Sequence, residues 1–525
     1  MNEELNRAFE QISDEHINEA ACYQKQRFPW VRAIAAVLAL VVAWTAVWAA
    51  FDFPPIMIYP ADTTPTEPVI QDTTLPSDPP TPTVPIIPSV PKPEYPTNLG
   101  DIQSPSTLQL TNLMAAPKYP EMVPCPSNEG LDPFSDKYQT LLYQWEIGKK
   151  AQYDQPLGYA DSLDDFWAES IREFLSGEGN RAYSPVNVYL ALAMLAETTG
   201  GNSRQEILDL LGVESIDALR TQASHVWNAH YSNDGKTTSL LANSLWLDEA
   251  YQFKDNAVQS LVNNYYASVF NGDLGTEEVN EQLRTWINSQ TGGLLEEQTK
   301  ELELSVDSVF ALASTIYFAA DWENGFEKEN TTEGIFHCRQ YDLNTPFMNK
   351  TITFGTYYWG TNFGAVELEL SSGSIWLILP DEGVAVEDIL SSTEYLHLTR
   401  DRYSWENQKY VTIHLSLPKF DISSQSDLIG GIKNLGVTNV FDEKVSDFTS
   451  MTDADGLVVG KIDHAVRVAI DEEGVIAAAF TVIDIAPTGA PDPTDEIDFI
   501  LDRPFLFVVS SHDNLPLFAG VVEQP

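Results

Sequence analysis

Glu472-Glu473-Gly474-Val475-Ile476-Ala477-Ala478-Ala479-Phe480-Thr481 constrains this chain more than any other stretch. Small and β-branched residues follow Glu-Glu-Gly without punctuation until Pro487-Thr488-Gly489, so the run has the composition of a strand. Side chains alternate between the two faces of a strand. One face would carry Val475, Ala477, Ala479, Thr481, Ile483 and Ile485, with no charge. The other would carry Ile476, Ala478, Phe480, Val482, Asp484 and Ala486, with the single charge of the segment. That parity suits burial of one face in a sheet. An aliphatic run of this kind left exposed as a plain tail strand would be an aggregation hazard.

The 525 residues allow more than one domain, and 43% apolar content is enough for a large core. A net charge of −48 argues against nucleic acid and anionic lipid surfaces; it serves solubility, and would also attract basic partners whose association slows as salt rises. The three cysteines, Cys22, Cys125 and Cys338, have no metal-ligand spacing and are too few for a disulfide framework. At most Cys125 and Cys338 could pair. No cofactor and no metal site is expected.

Ala33 to Phe51 is apolar apart from Thr45, about the ~20 residues a helix needs to cross a bilayer core. Lys25, Arg27 and Arg32 precede it and no Lys or Arg follows until Lys92, which puts the N-terminus in the cytoplasm. Trp30, Trp44 and Trp48 lie near its ends as interfacial anchors would. A cleaved signal peptide is the rival, but the mostly acidic leader and the lack of a small-x-small site before Phe51 oppose it. The Pro- and Thr-rich segment that follows cannot bury enough apolar surface to fold and is expected to be a disordered, semi-rigid spacer. The chain is therefore divided into a cytoplasmic tail (1–32), a transmembrane helix (33–51), an extracellular linker (52–112), an N-terminal extension of the folded domain (113–160) and the domain itself (161–525).

Within that domain Leu163–Leu175 reads as an amphipathic helix, and Ser184-Pro185 opens a second helical run. Strand-like pieces follow at Val309–Phe318, Ile375–Leu379, Val411–Leu417, Val458–Ile470 and Phe505–Ser510. Helices first and strands later, without regular alternation, indicate an α+β class. No Gly-x-Ser-x-Gly elbow, phosphate loop or His-Glu-x-x-His occurs, and the chain is not expected to be an enzyme.

Several short segments carry a resemblance in a fixed order. They are Ser184-Pro185, Gly200-Gly201-Asn202-Ser203, Ala242-Asn243-Ser244-Leu245-Trp246 and Ile287-Asn288-Ser289-Gln290-Thr291-Gly292-Gly293. After them come Ile316-Tyr317-Phe318 with Trp322 and Phe326, then Thr331 and Phe336, Leu379-Pro380-Asp381-Glu382-Gly383, Leu417-Pro418-Lys419-Phe420, Phe448-Thr449-Ser450-Met451 and Arg503-Pro504-Phe505. Together they resemble the serpin family over nearly all of residues 160–525, in a membrane-anchored bacterial-type member.

The resemblance implies a large mixed β-sheet, further sheets, about nine helices and an exposed reactive loop. It implies a hinge at Glu472, Glu473, Gly474, Val475, Ala477, Ala478 and Ala479, with Gly474 as a pivot tolerating unusual backbone angles. Ser184 and His464 match the family's shutter, where Ser314 stands in place of an asparagine, and Trp322 falls in its breach. Val475, Ile476 and Phe480 depart from the family's hinge and would slow insertion. By the family's spacing the scissile bond is Thr488–Gly489, with Ala486 and Ala490 as neighbouring choices. Cleavage would let the loop enter the sheet and drag an acylated protease on the order of 50 Å.

The function implied is a cell-surface inhibitor of serine proteases. Between Val475 and Asp502 there is no Lys or Arg, so elastase-like enzymes with a small hydrophobic pocket lead as targets and subtilisin-like enzymes come next. The alternative is a non-inhibitory member acting as a binding or structural surface module.

Overall fold

A computed structural model describes residues 112–120, 122–126, 132, 134–475 and 495–525. The chain divides into Met1–Ser89 and Val90–Pro525, and the described residues belong to the second unit. Among them no helix is long and apolar enough to cross a membrane. The tail, the expected anchor at 33–51 and the linker as far as residue 111 lie outside the described residues.

Eleven α-helices occur among the described residues: α1 (Asp136–Tyr153), α2 (Asp164–Phe174), α3 (Pro185–Thr198), α4 (Gly201–Leu210), α5 (Ile216–His230), α6 (Asp255–Asn264), α7 (Glu277–Gln290), α8 (Glu296–Thr299), α9 (Val386–Ser391), α10 (Glu394–Arg400) and α11 (Ile429–Asn434). This exceeds the nine or so expected, because the extension contributes α1 and because a helix as short as α8 leaves no periodic signal. α3 is the central helix. Ser184 Oγ accepts from the Asn187 amide at 3.4 Å, Pro185 fills the first turn, and the helix is buried on nearly every side.

An eight-stranded mixed sheet has the order β1 (Leu113–Ala115), β5 (Ala267–Gly272), β4 (Thr237–Asp248), β6 (Phe310–Asp321), β14 (Gly474–Val475), β13 (Asp463–Ile470) and β12 (Phe420–Asp427), with β3 (Ser232–Asn233) against β4. A nine-stranded sheet has the order β15 (Glu496–Ile500), β11 (Gln408–Pro418), β8 (Asp342–Trp359), β9 (Phe363–Glu369), β10 (Ser374–Pro380), β16 (Phe505–Ser510), β17 (Pro516–Val522) and β2 (Arg181–Tyr183), with β7 (Thr332–His337) against β8. The main core lies between sheets and helices, where Phe318 meets Phe518 and Phe420 meets Phe507. A second cluster forms where α7 lays Val279, Leu283 and Trp286 over Trp246 and Phe270.

The expected strand Val458–Ile470 begins only at Asp463. The Val459 amide instead donates to Val440 O at 2.8 Å, which holds that stretch in a loop. From the extension, β1 pairs antiparallel with β5, and Tyr119 stacks on Trp227 at 5.4 Å and Tyr231 at 5.2 Å. Cys125 and Cys338 are both free thiols.

Candidate functional site

The two residues of β14 occupy a single position in the large sheet. Gly474 pairs with Asp321 and Val475 with Ala320 on one side, while Val475 pairs with Ile470 on the other. Beyond them, among the described residues, no ladder joins β6 to β13. Among the described residues β6 and β13 are bridged only through Gly474 and Val475, and strand edges without a ladder partner are a template for another strand.

Local contacts explain why the chain turns there. The Asp471 amide donates to Gly474 O at 3.2 Å, and the Glu473 amide donates to Asp471 Oδ1 at 2.9 Å. Gly474 is required for space and has no left-handed φ. A Cβ there would lie 2.9 Å from Asp321 Cα and closer still to Ala320 O, so the expected role in unusual backbone angles is replaced by close approach of β6.

Around this turn the side chains form a polar clasp. Trp322 is buried, its indole Nε1 donates to Asp471 O at 2.8 Å, and its amide donates to Glu473 O at 3.2 Å. Glu472 is also buried; one carboxylate oxygen accepts from Thr331 Oγ1 at 2.8 Å and meets Lys419 Nζ at 2.5 Å. Burial pushes the Glu472 carboxyl up, but the Lys419 and Thr331 bonds outweigh it and hold the group below its usual value. Glu473 pairs with Lys328 at 2.6 Å. Burial raises Asp321, opposite Gly474, to about 6, with Lys236 opposing and Glu473 adding to the rise. Sequence reasoning named Glu472, Glu473 and Trp322, quoted Thr331 and Lys419 within motifs without giving them a role, and missed Lys328.

Lower in the sheet, Ser184 and His464 come together and Ser314 does not join them. The Ser184 amide donates to His464 Nε2 at 3.1 Å, so Nε2 carries no proton, and Ser184 Oγ donates to Leu517 O at 2.7 Å. Ser314 pairs across the ladder with Asn243, and its buried Oγ has no hydrogen-bond partner among the described residues. Ala477, Ala478, Ala479, Thr488 and Gly489 lie outside the described residues.

Burial lowers His464 from 6.5 to about 4. Between those values the unfolded chain binds a proton that the folded chain refuses. Stability from this group is therefore full above 6.5 and is lost as pH falls towards 4. The loss amounts to about 3 kcal/mol. Denaturant unfolding of the wild type and of His464→Gln at several pH values should show that the wild type loses more stability across this window, by about that amount. Equal slopes would contradict a neutral, buried His464.

The family model for Serpin (serine protease inhibitor) matches residues 162–525. The alpha-1-antitrypsin-like protein GS55-MS of Ictidomys tridecemlineatus is 30% identical over 380 residues, covering 70% of this chain and 88% of that protein. Among solved structures, the thermophilic serpin Tengpin in its native state superposes with a TM-score of 0.63 at 25% identity, over 71% of this chain and 95% of that one. AtSerpin1 of Arabidopsis, in a native stressed conformation, gives a TM-score of 0.61 at 25% identity, over 71% of this chain and 100% of that one. The expectation that the chain is not an enzyme is corrected by the same match. It supports a family of inhibitors that act as suicide substrates, and it contains nothing that excludes catalysis.

Proposed function

This chain belongs to the serpin family, and from that premise we propose that it is a suicide-substrate inhibitor of elastase-like serine proteases, held at the cell surface by residues 33–51 in the lipid bilayer. One observation carries the reading: the loop's first residues already stand as a strand between β6 and β13, which no other ladder joins among the described residues. Both ladders are antiparallel, so their register can be stepped onward. Ala477 would then face Phe318 and Val468, Ala479 would face Ile316 and Val466, and Thr481 would stand between Ser314 and His464. Those four apolar partners are buried in the main core, which suits the uncharged face of the loop. Thr481 would also give the orphaned Ser314 hydroxyl a partner in the inserted state.

The protease serine attacks the Thr488 carbonyl carbon, the Gly489 amine leaves with a proton, and an acyl ester joins Thr488 to the enzyme. Insertion then carries the ester on the order of 50 Å away. Distortion of the protease's oxyanion hole removes stabilisation of the next tetrahedral intermediate, so water no longer releases the ester. The driving force is strand pairing that the uncut loop cannot make, which would make the native state kinetically stable.

Incubation with pancreatic elastase should give a band at the summed mass on a denaturing gel. Clean cleavage without that band would support the non-inhibitory alternative. For the anchor, protease added to intact cells should release a soluble domain that begins after Phe51. Recovery of a free ectodomain without added protease, beginning within residues 45–52, would show a cleaved signal instead.

A further inference from the structure

His230 ends α5, while His512 and Asp513 lie in the turn between β16 and β17. We propose that these three side chains form a binding site for a divalent transition metal, with zinc as the ion their chemistry fits best. One ligand atom from each lies within 4.8 Å of the others. Two imidazoles and one carboxylate, with a position left open, form a donor set suited to zinc.

Neighbouring groups aim the donors. The turn closes through Ser511 N to Leu515 O and Leu515 N to Ser511 Oγ, both at 2.9 Å, and Asn514 takes a left-handed φ of 65°. His230 Nδ1 donates to Val226 O at 2.6 Å, which turns Nε2 towards Asp513. A bond from the other ring nitrogen to a backbone carbonyl is what fixes the tautomer and orientation of a metal-ligating histidine. Asp513 Oδ1 lies 2.9 Å from His230 Nε2 and accepts from Ser511 Oγ at 2.6 Å, while Oδ2 accepts from Tyr159 OH at 2.5 Å. The His512 ring stacks on Tyr153 with centroids 3.5 Å apart.

In the metal-free arrangement His230 Nε2–H donates to Asp513. A bound ion would take the place of that proton and draw in His512. The His230 side chain is 1% exposed and that of Asp513 28%, so the carboxylate side is the way in from solvent. Ligation would tie the β16–β17 turn to the end of α5 and to the segment carrying Tyr153 and Tyr159. A separation of 283 residues between His230 and Asp513 leaves no spacing motif to read in sequence.

The test uses the full chain without a polyhistidine tag, stripped by a chelator, then titrated with zinc by calorimetry and with cobalt(II) by visible absorption. Binding of about one equivalent, with the intense visible bands of low-coordinate cobalt, is the expected result. Asp513→Asn also removes the ion pair with His230 and endangers folding. His512→Ala leaves that pair intact and is the deciding variant, expected to weaken zinc binding by at least about 100-fold. Absence of saturable cobalt bands in the wild type, or unchanged affinity in His512→Ala, would overturn the site.

Discussion

Ala477→Arg is expected to turn the proposed inhibitor into a substrate: elastase should still cut the loop, but the covalent complex should disappear. Continued from Gly474 and Val475, the register of an inserted loop would set residue 477 between Phe318 of β6 and Val468 of β13, which are 3% and 2% exposed. A guanidinium inserted there would meet apolar side chains and lose its hydration without gaining a partner. Leaving a buried charge unpaired costs about 3–5 kcal/mol. At about 1.4 kcal/mol per factor of ten, that slows insertion by at least about 100-fold if most of the cost is felt in its transition state. Deacylation then wins the race. Ala479→Glu should behave alike, because it would face Ile316 and Val466. Unchanged rates of loop cleavage would show that neither variant had lost its fold. The complex yield on a denaturing gel decides the matter, and an undiminished yield from either variant would count against insertion.

Thr488→Arg should make the protein an inhibitor of trypsin and abolish inhibition of elastase. Primary specificity rests on one side chain in one pocket, and a trypsin-like pocket pairs a buried carboxylate with Arg or Lys. Supplying that partner where none stood avoids leaving the buried charge unpaired, so association with trypsin should rise by on the order of 1,000-fold. A shallow elastase-type pocket has no room for the longer side chain. Mass spectrometry of the C-terminal peptide released from the wild type by elastase checks the position directly. A fragment beginning at Gly489 supports Thr488; one beginning at Pro487 or Pro491 moves the scissile residue to Ala486 or Ala490.

What the sequence made legible was mostly local. Ser184-Pro185 is a helix start whose cap and first turn are adjacent residues, and α3 begins there. The alternation from Val475 is also local; Val475 is buried, and the rest of the alternating run lies outside the described residues. Pairings across long separations were not legible from residue types alone. Glu472 meets Thr331 and Lys419, neither at a spacing that marks a pair, and both stood in quoted motifs without a role. The reason for Gly474 was missed because a steric limit set by Ala320 and Asp321 depends on a neighbouring strand. β1 and the seat of Tyr119 against α5 escaped notice because so short a strand has no period and an aromatic contact needs the folded surface.

The claim that the loop enters the large sheet between β6 and β13 is tested most directly by a crystal structure of the elastase-cleaved protein. It should show one new strand running on from Gly474, hydrogen-bonded to both neighbours, with Thr481 between Ser314 and His464. If β6 and β13 remain unjoined beyond Val475, with the cut end lying outside the sheet, the account is wrong.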